Sequence, residues 1–85
     1  MDITLRFFAS VRETLGTGLE RVTVPDSIAT VADLRACLVS RGGVWSQALG
    51  ADRALRMACD QTMCQPATLV RDGCEVAFFP PVTGG

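Results

Sequence analysis

Asp72-Gly73-Cys74-Glu75-Val76-Ala77-Phe78-Phe79-Pro80-Pro81-Val82-Thr83-Gly84-Gly85 reads as a turn, a strand and an exit. Asp-Gly is a strong turn signal. Glu75 to Phe79 alternates, with Val76 and Phe78 on one face and Ala77 and Phe79 on the other. Pro80 and Pro81 fix φ and favour an extended, polyproline-like path, so Val82 to Gly85 is aimed away from the body. Gly84 and Gly85 carry no Cβ and make the thinnest possible tip, able to thread a narrow channel. At about 3.3 Å per residue, the stretch from Pro80 onward reaches about 20 Å, enough to enter a partner's active site. The expected organisation is one folded domain over residues 1–79 and a flexible tail over 80–85, whose terminal glycine carboxylate is the reactive group. A bare Gly-Gly end alone is more often an inert, frayed terminus. The apolar strand and the Pro-Pro exit before it favour function.

The other end of the chain carries a matching strand. Ile3, Leu5 and Phe7 point to one face, and Thr4, Arg6 and Phe8 to the other. Glu20 to Val24 predicts a second short strand with Val22 and Val24 inward. Gly16 and Gly18 in the connection predict a hairpin, which Pro25-Asp26 closes. Thr30 is the expected N-cap of a helix in which Val31, Leu34, Cys37 and Leu38 form one apolar stripe. Asp33 sits near its positive end, and Gly42-Gly43 ends it. Val44 to Leu49 predicts a second short helical segment in which Trp45 and Leu49 pack together. Ala54 to Cys59 alternates again, with Leu55, Met57 and Cys59 on one face. Gln61 to Gln65 predicts a turn and a brief strand, and Pro66 begins the approach to Leu69-Val70. The order of hairpin, helix and further strands predicts an α+β fold, a mixed sheet packed on one main helix, with the two terminal strands side by side at its centre.

Composition narrows the function. A chain of 85 residues makes one domain that buries only a little over ~60% of its unfolded surface, too small for a deep catalytic pocket. The formal net charge of −1 offers no basic patch for a phosphate backbone, so no nucleic-acid partner is expected. All eight basic residues are arginine, and lysine, histidine and tyrosine are absent. The chain therefore cannot be a link in a polymer joined through its own lysines. It also lacks the commonest general base and metal ligand. Cys37, Cys59, Cys64 and Cys74 have no CxxC spacing and no histidine beside them, so no zinc site is expected. Cys37 falls in the helical stripe and reads as core; the other three read first as small buried hydrophobes and second as half-exposed thiols. Met1-Asp2 leads directly into a strand, with no signal peptide or membrane span, so the expected compartment is the reducing cytoplasm with free thiols.

Phe8 and Phe79 lie in the phase opposite to their strands' core residues, so both are expected on the sheet face that the helix leaves bare, with Met63 joining them. Single exposed apolar residues are ordinary. Two phenylalanines on neighbouring strands at the base of a tail instead form a patch of the kind that marks a partner surface.

Residues 72–85 closely resemble the C-terminus of the small, sulfur-carrier subunits of molybdopterin synthase, the MoaD family. Phe7-Phe8-Ala9-Ser10-Val11-Arg12-Glu13 followed by Gly16 is similar to that family's opening motif, and the length agrees. The resemblance implies a ubiquitin-like β-grasp fold. It implies that an E1-like adenylating enzyme (MoeB-like) converts the Gly85 carboxylate and ATP into an acyl-adenylate, from which sulfur displaces AMP. The resulting thiocarboxylate is a soft nucleophile that the family uses to build the dithiolene of molybdopterin from precursor Z, cyclic pyranopterin monophosphate. Two sulfurs enter each product, so two charged tails are used. Carried over by the resemblance, Gly85 bears the thiocarboxylate and Gly84 keeps the tail slim. Phe8, Met63 and Phe79 match docking positions, and Pro80, Pro81, Val82 and Thr83 form the partner-binding lead-in.

Further implications are a large synthase subunit (MoaE-like) as partner in a heterotetramer, no permanently bound cofactor, and no catalysis by this chain alone. Asp60, where family members carry Asn, and Cys64 and Cys74 depart from the pattern. Three other readings stand beside it: a carrier for the thiazole of thiamine, a ubiquitin-like modifier of target lysines, and a plain binding module. The Phe-Phe-Pro-Pro-Val-Thr lead-in favours the molybdopterin family.

Overall fold

We describe residues 1–81 from a computed structural model; Val82, Thr83, Gly84 and Gly85 lie outside the described residues. The elements are β1 (Asp2–Phe7), α1 (Ala9–Leu15), β2 (Leu19–Thr23), α2 (Val31–Val39), α3 (Val44–Leu49), β3 (Arg56–Cys59), β4 (Thr62–Met63) and β5 (Glu75–Phe79). They form one sheet in the order β2-β1-β5-β3-β4. β1 and β5 pair in parallel and the other neighbours antiparallel. The two terminal strands therefore lie side by side, as their apolar content predicts, and β5 takes the central position.

Alternation along the strands decides what is buried. Ile3, Leu5, Phe7, Val76 and Phe78 are at most 1% exposed and meet Val31, Leu34 and Leu38 of α2 and Leu49 of α3. Each such side chain contributes on the order of 1.5–3 kcal/mol through burial. Phe7 stacks on Phe78 with ring centroids 6.3 Å apart and meets the edge of Trp45 at 5.7 Å. Thr30 caps α2 as predicted. Its Oγ1 accepts from the Asp33 N–H at 3.1 Å, while the Asp33 carboxylate accepts from the N–H groups of Thr30 and Ala29 at 3.1 Å each. Two otherwise orphaned ends of the first turn are thus satisfied reciprocally.

Four local expectations need correction. The connection from β1 to β2 is not a tight hairpin turn but α1, although the two strands do pair antiparallel. Val11 and Leu15, four apart, pack this short helix on the core, and Gly16 closes it at φ 77° with its N–H donating to the Arg12 carbonyl. The α2 helix ends at Val39, before Gly42 and Gly43, which take positive φ in the turn that follows. Strand β3 starts at Arg56 rather than Ala54. Among the thiols, Cys74 is the buried one and Cys37 only half-buried, because Cys37 lies at the flank of the α2 stripe whereas Cys74 enters β5 on its core face.

Candidate functional site

Strand register builds the bare face of the sheet. Arg6 pairs with Leu19 on one side and with Ala77 on the other; Ala77 pairs with Ala58, and Ala58 with Met63. Directly paired residues share a face, so Leu19, Arg6, Ala77, Ala58 and Met63 form one row across all five strands, opposite the face that carries Phe78 and Met57. Leu19 and Met63 at its ends are 54% and 55% exposed, while the alanines between them are less than a tenth exposed. Arg6 and two small, covered alanines thus lie between two exposed apolar ends.

The next row lies toward the C-terminal end of β5. Phe79 pairs with Arg56, and Phe8 follows Phe7, the partner of Phe78. The Phe8 and Phe79 rings meet edge to face at 6.4 Å, and the Arg6 guanidinium lies 5.9 Å from the Phe8 ring centre. Phe8 is 44% exposed. Its backbone is extended, with its N–H donating to the Phe78 carbonyl at 3.4 Å and its own carbonyl accepting from Arg12 at 3.3 Å. Ala9 then adopts φ 52°, a left-handed conformation that costs a side-chain-bearing residue about 1 kcal/mol. That one residue turns the chain from the strand into α1 and leaves Phe8 on the sheet face.

Phe79 leads directly to half-buried Pro80 and exposed Pro81. Pro80 borders a cleft of about 190 Å³ lined by residues that include Ser10, Thr14, Gln47, Arg53 and Leu55. Arg35 of α2 fixes the loop behind this cleft, donating to the carbonyls of Leu49 and Gly50 at 2.6 Å and of Arg53 at 2.9 Å.

Of the predicted site residues, Phe8 and Phe79 touch, and Pro80 and Pro81 continue from them. Met63 shares their face but stands at the far edge, separated from Phe79 by the strand that carries Ala58. The predictions on Val82, Thr83, Gly84 and Gly85 lie outside the described residues. Leu19 is a member of the face that sequence reasoning missed. The inward phase of Val22 and Val24 places Leu19 outward, but the predicted strand began one residue too late.

Asp60, one of the departures from the family pattern, has a structural task. Asp60 and Gln61 take φ 49° and 67° in the β3–β4 turn. The Asp60 carboxylate accepts from the Glu75 N–H at 2.9 Å and pairs with Arg71 at 3.1 Å, tying the turn to the start of β5. Burial, reinforced by neighbouring Cys74, pushes the Cys59 thiol up to about 11, and burial also raises Cys64. Among the described residues no polar or charged side chain is buried.

A family model described as the ThiS family matches residues 5–85. The molybdopterin synthase sulfur carrier subunit of Escherichia coli strain K12 is 42% identical over 83 residues, covering 98% of this chain and 99% of that protein. The protein of the same name from Haemophilus influenzae is 37% identical with the same coverage. Among solved structures, the complex of subunits 1 and 2 of the molybdopterin-converting factor from Helicobacter pylori contains a chain that superposes with a TM-score of 0.67. It is 22% identical, with full coverage of both chains. That likeness agrees in fold with the five-stranded mixed sheet and its helices, a ubiquitin-like β-grasp.

Proposed function

The chain belongs to the ThiS family, and from that premise we propose that it is the sulfur carrier subunit of a molybdopterin synthase. The observation that carries this function is the placement of exposed Phe8 against half-buried Phe79 at the root of the Pro-Pro-Val-Thr-Gly-Gly stretch, in a chain 42% identical to such a subunit from end to end.

A carboxylate is a poor electrophile at neutral pH. The Gly85 carboxylate therefore attacks the α-phosphate of ATP on an E1-like adenylating enzyme, releasing pyrophosphate and forming an acyl-adenylate. Sulfur then adds to the acyl carbon, AMP leaves, and Gly85 ends in a thiocarboxylate. Docked on a large synthase subunit, the tail donates that sulfur to precursor Z and returns as the carboxylate. The bare sheet face supplies the docking surface, with Phe8 and Phe79 as aromatic anchors next to the tail root and Met63 and Leu19 as outer contacts. The chain has no histidine or lysine, so the acid–base groups and the pterin site belong to the partners. The chain acts as the sulfur donor of a sulfurtransferase complex and not as an enzyme alone. It works in a reducing cytoplasm that keeps its thiols free. The solved complex of two converting-factor subunits supports a large subunit as partner.

Intact mass tests this function. After incubation with ATP, a competent activating enzyme and a sulfur source, the chain gains the mass of one oxygen-to-sulfur exchange. High-mass conjugates to other proteins would instead establish a modifier, and an unchanged mass would remove the carrier function. Adding precursor Z and the large subunit to the charged carrier then forms molybdopterin; a carrier for thiazole synthesis would not discharge there.

A further inference from the structure

Three of the four cysteines meet at one corner of the fold. Cys59 ends β3 and pairs with Val76, so its side chain lies on the core face of the sheet. Cys74 lies on that same face two residues before Val76, which makes it the diagonal neighbour of Cys59 across the two strands. The backbone beside them is tied together. The Asp60 N–H donates to the Glu75 carbonyl at 2.8 Å, and the Glu75 N–H donates to the Asp60 carboxylate at 2.9 Å. Cys64, whose N–H donates to the Met57 carbonyl at 3.0 Å, flanks Cys59 from β4. Cys59 and Cys64 line an open hollow of about 670 Å³ that also reaches Arg71, whereas Cys74 is buried.

Diagonal neighbours on paired strands sit about 7–8 Å apart with their Cβ atoms closer, and a disulfide spans Cα atoms up to about 6.8 Å apart. The approach required is therefore about 1 Å. Neither cysteine is locked inside a strand. Asp60 and Gln61, directly after Cys59, form the β3–β4 turn at positive φ, and the Cys74 N–H closes a turn onto the Arg71 carbonyl at 3.1 Å. After burial, Cys74 is the neighbour that most opposes ionisation of the Cys59 thiol, ahead of Asp60 and Cys64. Cys74 rather than Cys64 is thus the partner of Cys59.

We propose that Cys59 and Cys74 form a site of reversible covalent modification, a dithiol that a low-molecular-weight disulfide such as oxidised glutathione converts to an intramolecular disulfide. The Cys59 thiolate, reached through the hollow, attacks one sulfur of the small disulfide, forms a mixed disulfide and expels a thiolate that takes up a proton. The Cys74 sulfur, having given its proton to water, then attacks the Cys59 sulfur, and the second small thiol leaves. Two cysteine thiols are oxidised by two electrons, and the small disulfide is reduced to two thiols. The bond staples the least regular part of the chain. Residues 64–74 run between β4 and β5 without helix or strand, held to α2 by hydrogen bonds of 2.9 Å from Val31 to Thr68 and from Ala32 to Pro66. Closing a loop of about 15 residues pins this segment together with β4 and Met63, and leaves Phe8 and Phe79 at the other end of β5 untouched.

The test equilibrates the full chain at about pH 8, where more of each thiol ionises, in mixtures of reduced and oxidised glutathione. After acid quenching, intact mass and non-reducing peptide mapping read the product. Wild type is expected to lose two hydrogen atoms, to yield a crosslinked peptide joining Cys59 to Cys74, and to return to its starting mass with dithiothreitol. Its melting temperature should rise by about 10 °C or more on closure. Cys64→Ala should close as wild type does, while Cys74→Ala should stop at the mixed disulfide on Cys59. The wild-type map decides the matter even if a variant fails to fold. The proposal is overturned if wild type stays reduced in the most oxidising mixture, if Cys59 links to Cys64 or to a second chain, or if closure leaves the melting temperature unchanged.

Discussion

Phe8 and Phe79 meet edge to face at 6.4 Å although one follows the first strand and the other ends the last. The contact follows from the parallel register that sets Phe7 beside Phe78. One step further along each strand, the alternation turns both rings to the face that the helices leave open. The same step brings the chain to Pro80. The proposed docking surface and the root of the chain's end at Pro80 are therefore one place.

Replacing Phe8 by alanine should weaken binding to the large subunit by ~2 kcal/mol, roughly 30-fold in Kd. Phe8 is 44% exposed, so the melting temperature should move little. Calorimetric titration beside a thermal melt separates the two effects. Unchanged affinity in both Phe8→Ala and Phe79→Ala would place the interface elsewhere.

The alanines make a second, opposite prediction, since here the fault is added bulk. Ala77→Leu puts a larger side chain between Arg6 and Ala58 on the sheet face without helices. A partner that docks on this face should lose at least about tenfold in affinity, while the fold, whose core lies on the other face, should survive. Binding equal to wild type would show that this row is not part of the contact.

Deleting Gly85 should abolish sulfur transfer and leave thermal stability unchanged, because among the described residues the core is built from residues before Pro80. Thiocarboxylate formation by intact mass and a thermal melt are the two readouts. A deletion variant that still carries sulfur would refute the proposed chemistry.

The capping box gives a pH dependence with a definite sign. Hydrogen bonds from the backbone of Ala29, and next of Thr30, hold the Asp33 carboxyl below its ordinary value of 3.8. The folded pKa is depressed, so the stabilisation is present above the unfolded value and is lost as pH falls through the folded one. Asp33→Asn should therefore melt below wild type at neutral pH, and the gap should close between about pH 5 and pH 2. A gap independent of pH would mean that the charge of Asp33 is irrelevant to the cap.

Cys59 should alkylate slowly at neutral pH. With its thiol pushed up to about 11, its rate with iodoacetamide should rise about tenfold per pH unit between roughly pH 7 and 9. Peptide mapping of the labelled chain reads this residue by residue. A rate already at plateau near neutrality would show an exposed, ionised thiol.

Much of the fold was legible because strand phase is a local property. Ile3, Leu5 and Phe7, like Val76 and Phe78, declare their buried face through a period of two, and Thr30 with Asp33 declares a helix start through side-chain chemistry alone. The α1 helix was not legible as such. Its seven residues offer one apolar pair, Val11 and Leu15, too little to establish a period, and Gly16 reads equally as a turn glycine.

The candidate site divides in the same way. Alternation alone places Phe8 and Phe79 outward and Pro-Pro at the exit, and the resemblance assigns the terminal glycine its chemistry. The Leu19-to-Met63 row, the two alanines within it and the position of Arg56 opposite Phe79 depend on which strands are neighbours and in what register. Those pairings join residues far apart in sequence, and they are selected by the collective burial of Phe7, Phe78 and the α2 stripe in one core. The sequence determined which side each residue faces; only the tertiary structure decided who stands beside it.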